Sequence, residues 1–155
     1  MKDGYLYVGA FVPAENLREH LSPTLARPVR HPHVTFRYKP ESVDESLFGT
    51  SIPFQVIGYG CDGENEGLEV IPVCEDGPLI QQLAAIAHPH ITLSVSPSGR
   101  ARNSGTLAFH PLKPFLLPAV YGGWHKRNGL VLTPPNRADI PKIGNPEKMN
   151  ERVVL

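Results

Sequence analysis

The residues best suited to chemistry in this chain form two motifs with one frame, His31-Pro32-His33-Val34-Thr35-Phe36 and His88-Pro89-His90-Ile91-Thr92-Leu93. The motifs start 57 residues apart and hold four of the seven histidines. Each continues into alternating β-branched and apolar residues, which predicts a half-buried strand. Because residues two apart on a strand share a face, each motif places an imidazole beside a hydroxyl: His33 with Thr35, and His90 with Thr92.

Paired histidines with hydroxyl neighbours suit the cleavage of a phosphodiester. An imidazole titrates near neutral pH, so one neutral ring can accept a proton from the attacking oxygen while a protonated ring gives one to the leaving oxygen. Thr35 and Thr92 can donate to the non-bridging oxygens, and Arg37 can balance charge. Regular alternation along the strand predicts Arg37 on the same face as His33 and Thr35.

The segments His33-Val34-Thr35-Phe36 and His90-Ile91-Thr92-Leu93 resemble the two H-x-T-x motifs of the two-histidine (2H) phosphoesterase superfamily. That superfamily includes LigT-like RNA cyclic phosphodiesterases and the cyclic phosphodiesterase domains of tRNA ligases. The resemblance covers residues 5–133. It implies an α+β fold, bilobal and duplicated about a pseudo-twofold axis, with two antiparallel sheets facing across a central groove and helices outside. We therefore expect one domain over residues 1–133, with residues 134–155 as a C-terminal tail or edge element.

The resemblance also implies an activity, the metal-independent hydrolysis of a 2′,3′-cyclic phosphate on an RNA end or nucleotide, or of a related 2′-5′ or 3′-5′ phosphodiester. His33 and His90 would be the acid/base pair, and Thr35 and Thr92 would bind the phosphate, without a cofactor. Cyclic di- or oligonucleotide immune signals, which some viral members destroy, are an alternative substrate. The additional His31 and His88 are not part of the family motif.

Further substrate-binding candidates come from the second motif strand, a basic loop and the aromatic residues. Ser94 follows Thr92 on its strand, and Arg100 and Arg102 belong to a loop at Ser96–Gly105 that could close over an anion. Tyr5, Tyr7 and Phe11 alternate with aliphatic residues, so their face can meet a base, as can Trp124 in its basic cluster. Core packing is the alternative for each aromatic side chain, and a solvated surface is the alternative for the loop.

Strands and helices recur along the chain in a repeated order. The pattern predicts a strand at Tyr5–Val12, a helix from Ala14 to about Leu21, and the first motif strand. It then predicts a hairpin of Ile52–Tyr59 with Leu68–Val73 around a turn at Gly60–Gly67, a helix near Leu79–Ala87 capped by Asp76, and the second motif strand. Further strands are expected in Thr106–Tyr121 and Gly129–Leu132, joined through Gly122–Asn128. Helix followed by motif strand thus occurs twice, which indicates an internal duplication.

Composition narrows the classes of protein that fit. The 155 residues are 41% hydrophobic and carry no net charge, which suits one domain and argues against binding to long duplex nucleic acid. Six acidic residues lie between Asp62 and Asp76, whereas Gly77–Ala138 has none and holds six basic ones. This basic stretch suits a small anion or a nucleic-acid end, or is an ordinary solvated face. Without an apolar span or a secretion signal, we expect a cytosolic monomer with no membrane association. We expect its two cysteines to be reduced, although one disulfide is possible.

Three other interpretations fit the motifs. The four motif histidines could bind zinc or iron, although the threonines would then be idle and no acidic residue lies close on either strand. A module that binds phosphorylated ligands without turnover would use the same groove. Finally, the histidines could simply begin two strands of a small α+β domain.

Overall fold

The strands of the protein form two antiparallel sheets, as seen in a computed structural model that describes residues 3–73 and 77–134, without the side chain of Arg102. The elements are β1 (Tyr5–Phe11), α1 (Ala14–Arg18), β2 (Arg27–Pro28), β3 (His33–Tyr38), β4 (Phe54–Cys61), β5 (Asn65–Pro72), α2 (Ile80–Ala84), β6 (His90–Val95), β7 (His110–Leu117), β8 (Val120–His125) and β9 (Gly129–Val131), with short 3₁₀ helices at Glu45–Leu47 and Ala101–Thr106. The first sheet has the order β3-β1-β8-β9 and the second β2-β6-β5-β4-β7. The predicted α+β class with two antiparallel sheets is confirmed, and the internal duplication stays a prediction.

One hydrophobic core receives side chains from both sheets and both helices. Its members include Val8 and Val34 from the first sheet, Leu68 and Ile91 from the second, and Leu17, Leu79 and Leu83 from α1 and the α2 region. A second, smaller cluster covers the other face of the first sheet, where Phe11, Leu130 and Leu132 pack with Tyr7, Val120 and Trp124. The first sheet therefore has an apolar surface on both faces, and one of those faces carries the first histidine motif.

The hairpin predicted around residues 60–67 is present, but its turn is shorter than expected. The carboxylate of Asp62 accepts hydrogen bonds from the backbone N–H groups of Glu64 (2.9 Å) and Asn65 (2.8 Å), and Gly63 has a φ of +86°. This tight turn lets β5 begin at Asn65. Glu66, predicted to lie in the turn, is therefore a strand residue.

Other boundaries also differ from the predicted ones. β8 runs through Trp124 to His125, so the turn that follows is short and ends at Gly129, whose φ is +69°. The helices α1 and α2 each have five residues, and α1 ends three residues before Leu21. Some predicted features lie outside the described residues: the cap Asp76, Cys74, and all of the predicted tail except Pro134. Cys61 is exposed and has a free thiol. No helix within the described part of the chain is long and apolar enough to cross a membrane.

Candidate active site

His33 and His90 begin β3 and β6 with the same hydrogen bond. Nδ1 of His33 lies 2.9 Å from the carbonyl oxygen of His31, and Nδ1 of His90 lies 2.8 Å from that of His88. A carbonyl oxygen only accepts, so each Nδ1 carries a proton and Nε2 of the neutral ring keeps its lone pair. The HPH frame of both motifs thus fixes one tautomer and one ring orientation.

The two motif strands lie against each other, although they belong to different sheets. His33 is close enough to His90 for a positive charge on His90 to oppose protonation of His33. The structure therefore brings together the two histidines that the sequence proposed as a pair.

Aromatic rings enclose the imidazole of His33. Its ring stacks on Tyr7 with a centroid distance of 4.5 Å and an interplanar angle of 15°, and Phe11 lies 5.2 Å away. Burial lowers the pKa of His33 to about 4; the hydrogen bond to His31 opposes this shift, and the charges of His90 and His31 add to it. His33 is therefore neutral at pH 7, with Nε2 available as a proton acceptor.

His90 has a different environment. Gly105, in the Ala101–Thr106 3₁₀ helix, lies so close that a Cβ atom there would be 3.0 Å from Cε1 of the His90 ring. Glu69 pairs with His90 across the β5–β6 ladder, and cross-strand partners share a face. His90 thus has a carboxylate on the neighbouring strand, whereas His33 is packed against aromatic rings.

Thr92 connects the second motif to the same 3₁₀ helix. Its hydroxyl lies 2.9 Å from Oγ of Ser104 and 3.2 Å from the carbonyl oxygen of Ala101. Asn65 donates to Oγ of the buried Ser104 at 3.0 Å and to the carbonyl oxygen of Arg100. This network holds the basic loop against β6 at Thr92.

Both motif strands contain a β-bulge at the same motif position, directly after the threonine. In the β1–β3 ladder Gly9 pairs with Thr35 and Val8 with Arg37, so Phe36 is the extra residue. In the β5–β6 ladder Gly67 pairs with Thr92 and Glu66 with Ser94, so Leu93 is the extra residue. Each motif threonine therefore faces a glycine on its neighbouring strand.

The bulges overturn the expectation that alternation continues past the threonines. Val8 and Gly9 lie on opposite faces of β1, so their partners Arg37 and Thr35 also lie on opposite faces. Arg37 donates to the side chain of Gln82 (3.1 Å) and to the carbonyl oxygen of Ser42 (2.9 Å). It is therefore held away from the face of His33 and Thr35.

Ser94 is displaced in the same way. It is completely buried, donates to Glu66 at 2.7 Å and accepts from the backbone N–H of Leu25 at 3.1 Å. The bulge at Leu93 turns it to the face opposite Thr92, so it belongs to the interior of the protein and not to the exposed site.

The aromatic and basic candidates divide into several groups. Tyr7 contacts His33, and the ring of Trp124 lies 5.5 Å from that of His31 on the same side of the first sheet. Tyr5 instead packs in the main core against Phe48, because the β1–β8 register shifts between Tyr5 and Tyr7. Arg100 is exposed, and the side chain of Arg102 lies outside the described part of the structure.

A buried carboxylate that the sequence did not single out lies behind the second motif. Glu66 has no exposed surface and accepts hydrogen bonds from Ser94 (2.7 Å), from the hydroxyl (2.7 Å) and backbone N–H (2.9 Å) of Thr24, and from Tyr59. Burial raises the pKa of Glu66, but the hydrogen bonds outweigh it and lower the pKa overall. Glu66 is thus a fully bonded carboxylate that links the segment after α1 to the second sheet.

The four motif histidines do not converge on one point. The ring of His31 contacts Trp124 while that of His33 stacks on Tyr7. Within residues 3–73 and 77–134, no group of three or more histidine, cysteine, aspartate or glutamate side chains is arranged to hold a metal ion. The arrangement of these rings instead resembles two separate histidine–threonine pairs.

No protein-family model matches the chain, and no curated protein matches it.

Asn65 and Glu69 are site residues that sequence reasoning missed, and Ser104 and Gly105 were predicted only as members of the loop at Ser96–Gly105. All four approach the second motif from other elements, so their spacing along the chain carries no periodic signal. The Gly-Ser-rich composition of residues 96–105 was the one available indication, because it marked this loop as able to approach a ligand.

Proposed function

We propose that the protein is a metal-independent phosphodiesterase of the 2H type, which hydrolyses a phosphodiester of an RNA end or of a small linear or cyclic nucleotide. One observation carries the proposal: two neighbouring strands each present a histidine in the same fixed tautomer, two residues before a threonine. A histidine that merely begins a strand does not require this matched hydrogen bond, bulge and facing glycine in both places.

The different surroundings of the two rings assign their roles. His33 is neutral at pH 7, so its Nε2 takes the proton from the attacking water. The water oxygen bonds to phosphorus, the bond from phosphorus to the leaving ribose oxygen breaks, and protonated His90 gives its proton to that oxygen. Glu69 lies across from His90 on the neighbouring strand.

Thr35 and Thr92 provide hydroxyl groups to the non-bridging phosphate oxygens, where charge develops during the reaction. Tyr7 and Trp124 offer ring surface for a base or ribose, and Arg100 offers an exposed cation on the loop beside Thr92. Arg37 and Ser94 have no direct role in this mechanism. A cytosolic location belongs to the same proposal.

The proposal is tested by replacing each histidine and measuring turnover of 2′,3′-cyclic nucleotides, a cyclic-phosphate-ended RNA and dinucleotides. His33→Gln and His90→Gln should each lower kcat by about 10²–10⁴-fold, because each removes one proton transfer. The matched control is His110→Gln on the exposed start of β7, which should keep full activity. Comparable turnover in the wild type and in either site variant would remove the acid/base pair.

A further inference from the structure

A chain of hydrogen-bonded side chains leads from the interior of the second sheet to the hydroxyl of Thr92. Asn65 donates from Nδ2 to Oγ of Ser104 over 3.0 Å, and Oγ of Ser104 lies 2.9 Å from Oγ1 of Thr92. Asn65 and Ser104 are buried, whereas Thr92 is half-buried and shares a face of β6 with His90. The chain therefore begins inside the protein and ends at a hydroxyl proposed to bind the phosphate.

The orientation of the Asn65 amide sets the direction of the first hydrogen bond. Nδ2 also donates to the carbonyl oxygen of Arg100, and a carbonyl oxygen only accepts, so the NH₂ group of the amide faces Ser104. An amide NH₂ group only donates, and Oγ of Ser104 therefore accepts from it. The proton of the Ser104 hydroxyl is then available to Oγ1 of Thr92.

The Thr92 hydroxyl has one proton, and it lies near an acceptor as well as near Ser104. The carbonyl oxygen of Ala101, 3.2 Å away, can take that proton while Ser104 donates to Oγ1 of Thr92. The bond to Ala101 is long for a hydroxyl donor, so little is lost when it is replaced. Rotation about the Cβ–Oγ1 bond then turns the Thr92 proton from Ala101 to a phosphate oxygen and leaves the hydrogen bonds behind it unchanged.

The 3₁₀ helix at Ala101–Thr106 brings the chain to both members of the second motif pair. Ser104 contacts Thr92 through its hydroxyl. Gly105, the next residue, lies so close to His90 that a Cβ atom there would be 3.0 Å from Cε1 of the ring. The position of this helix is therefore coupled to the two groups that act on the substrate in the proposed mechanism.

We infer that Asn65 and Ser104 are positioning residues of the proposed reaction, which orient the Thr92 hydroxyl as a donor toward the substrate. The inference rests on the proposed function and adds to it the groups that direct one phosphate-binding hydroxyl. Asn65 donates to Ser104 and Ser104 donates to Thr92, so each hydrogen bond polarises the next one. The last hydroxyl becomes a better donor to a phosphate oxygen as negative charge develops there. No proton is transferred along the chain, because its role is to orient and polarise.

The test is a double-mutant cycle on kcat/KM for whichever cyclic nucleotide, cyclic-phosphate-ended RNA or dinucleotide the wild type cleaves fastest. Thr92→Val removes the hydroxyl and keeps the shape, and should lower kcat/KM about 10²-fold. Ser104→Ala should lower it about 3–10-fold, mainly through kcat, because Thr92 keeps its hydroxyl but loses the donor that orients it. In the Thr92→Val background, Ser104→Ala should change kcat/KM by less than about twofold, because no hydroxyl is left to orient.

A purely structural role of Ser104 predicts a different result in the same cycle. Loosening of the 3₁₀ helix would lower kcat/KM by the same factor with and without the Thr92 hydroxyl. Equal effects in the two backgrounds, or full activity of Ser104→Ala, would overturn the inference and leave the phosphodiesterase standing. A wild type that cleaves none of the substrates would overturn the proposed function and this inference with it.

Thr106→Val is the matched control for loss of a hydroxyl from the same 3₁₀ helix. The exposed Thr106 hydroxyl donates to the carbonyl oxygen of Asn103 at 2.9 Å, outside the chain that leads to Thr92. This variant should keep full activity, and its effect should be the same in the wild-type and Thr92→Val backgrounds.

Asn65→Asp tests the first hydrogen bond of the chain with a side chain of the same size. Its carboxylate accepts, so Ser104 would donate to residue 65 and no longer to Thr92. The kcat/KM should fall at least as far as in Ser104→Ala, and wild-type activity in a folded Asn65→Asp variant would overturn the inference. Ser104→Ala leaves Asn65 its hydrogen bond to Arg100, so the cycle decides alone if the aspartate variant does not fold.

Discussion

In the proposed mechanism, the environment of the His33 ring decides that this histidine accepts the proton of the attacking water. Stacking on Tyr7 and contact with Phe11 remove water from the imidazole. The loss of hydration destabilises the protonated ring more than the neutral ring. The same packing that encloses the ring therefore keeps it neutral at pH 7, with a lone pair on Nε2.

The titration of His33 is the first prediction. In NMR spectra of the histidine rings, the His33 resonance should titrate at about pH 4, well below the ordinary value, because burial lowers its pKa. Tyr7→Leu should move the midpoint upward, since it opens the ring to water. A His33 midpoint near 6.5 in the wild type would contradict the assignment of His33 as the neutral base.

This pKa has a consequence for stability. Between pH 4 and 6.5 the unfolded chain holds a proton on His33 that the folded protein does not, so the free energy of unfolding rises with pH across this window. Above pH 6.5 the ring is neutral in both states and burial of His33 costs no protonation energy. As pH falls from 6.5 toward 4, the cost of keeping the buried ring neutral lowers the free energy of unfolding. His33→Asn should flatten this part of the stability profile, measured by denaturant unfolding.

At the scale of elements, the two matched bulges set the geometry of the candidate site. Each lets the threonine remain on the histidine face while Arg37 or Ser94, two residues later, turns to the opposite face. The facing glycines are part of this arrangement. A Cβ atom on Gly9 would lie 2.1 Å from the carbonyl oxygen of Val34, and one on Gly67 would lie 3.0 Å from the carbonyl oxygen of Ile91.

The second prediction concerns these glycines. Gly9→Ala should destabilise the protein by about 1–3 kcal/mol or more, because backbone must move, and Gly67→Ala should have a smaller effect. Denaturant unfolding measures both effects. Each substitution should also lower phosphodiester turnover, because it displaces the threonine that faces the glycine, Thr35 or Thr92. If Gly67→Ala destabilised the protein more than Gly9→Ala, these close approaches would not explain the role of the glycines.

The observed strands also show which features of the structure local sequence patterns can predict. Alternation correctly predicted β1, the motif strands and the hairpin, since each depends on apolar residues within one segment. It was wrong about the faces of Arg37 and Ser94, because a bulge adds one residue without leaving a mark in composition. Glu66 was placed in a turn because its neighbours are acidic and glycine-rich, whereas its main partner Thr24 lies 42 residues earlier in the chain.

At the scale of the whole molecule, the chain crosses repeatedly between the sheets, and Glu66 secures one of these crossings. β2, from the first part of the chain, pairs with β6 in the second sheet. Glu66 holds the segment just before β2 through Thr24 and holds β6 through Ser94. One carboxylate thereby links three separate parts of the sequence.

The third prediction is that Glu66→Gln lowers the free energy of unfolding by about 2 kcal/mol or more, because an amide N–H₂ would face groups that all donate. The exposed Glu69→Gln on the same strand is the matched control for stability and should change it little. A Glu66→Gln variant as stable as the wild type would show that the charge of Glu66 is dispensable.

The pH dependence of stability gives the same residue a second test. The folded pKa of Glu66 is lowered, so its stabilisation is present above its ordinary pKa and is lost as pH falls through the folded value. The wild type should therefore lose more stability than Glu66→Gln on acidification below about pH 4.5. Parallel acid profiles of the two proteins would contradict this assignment.

In the proposed mechanism, His33 and His90 cleave a phosphodiester without a metal ion. The most direct measurement is incubation of the pure protein with EDTA and the panel of 2′,3′-cyclic nucleotides, cyclic-phosphate-ended RNA and cyclic and linear dinucleotides. We expect cleavage of at least one substrate to survive the chelator and to disappear in His33→Gln. Cleavage that is abolished by EDTA and restored by a divalent metal ion, or that persists undiminished in His33→Gln, would contradict it.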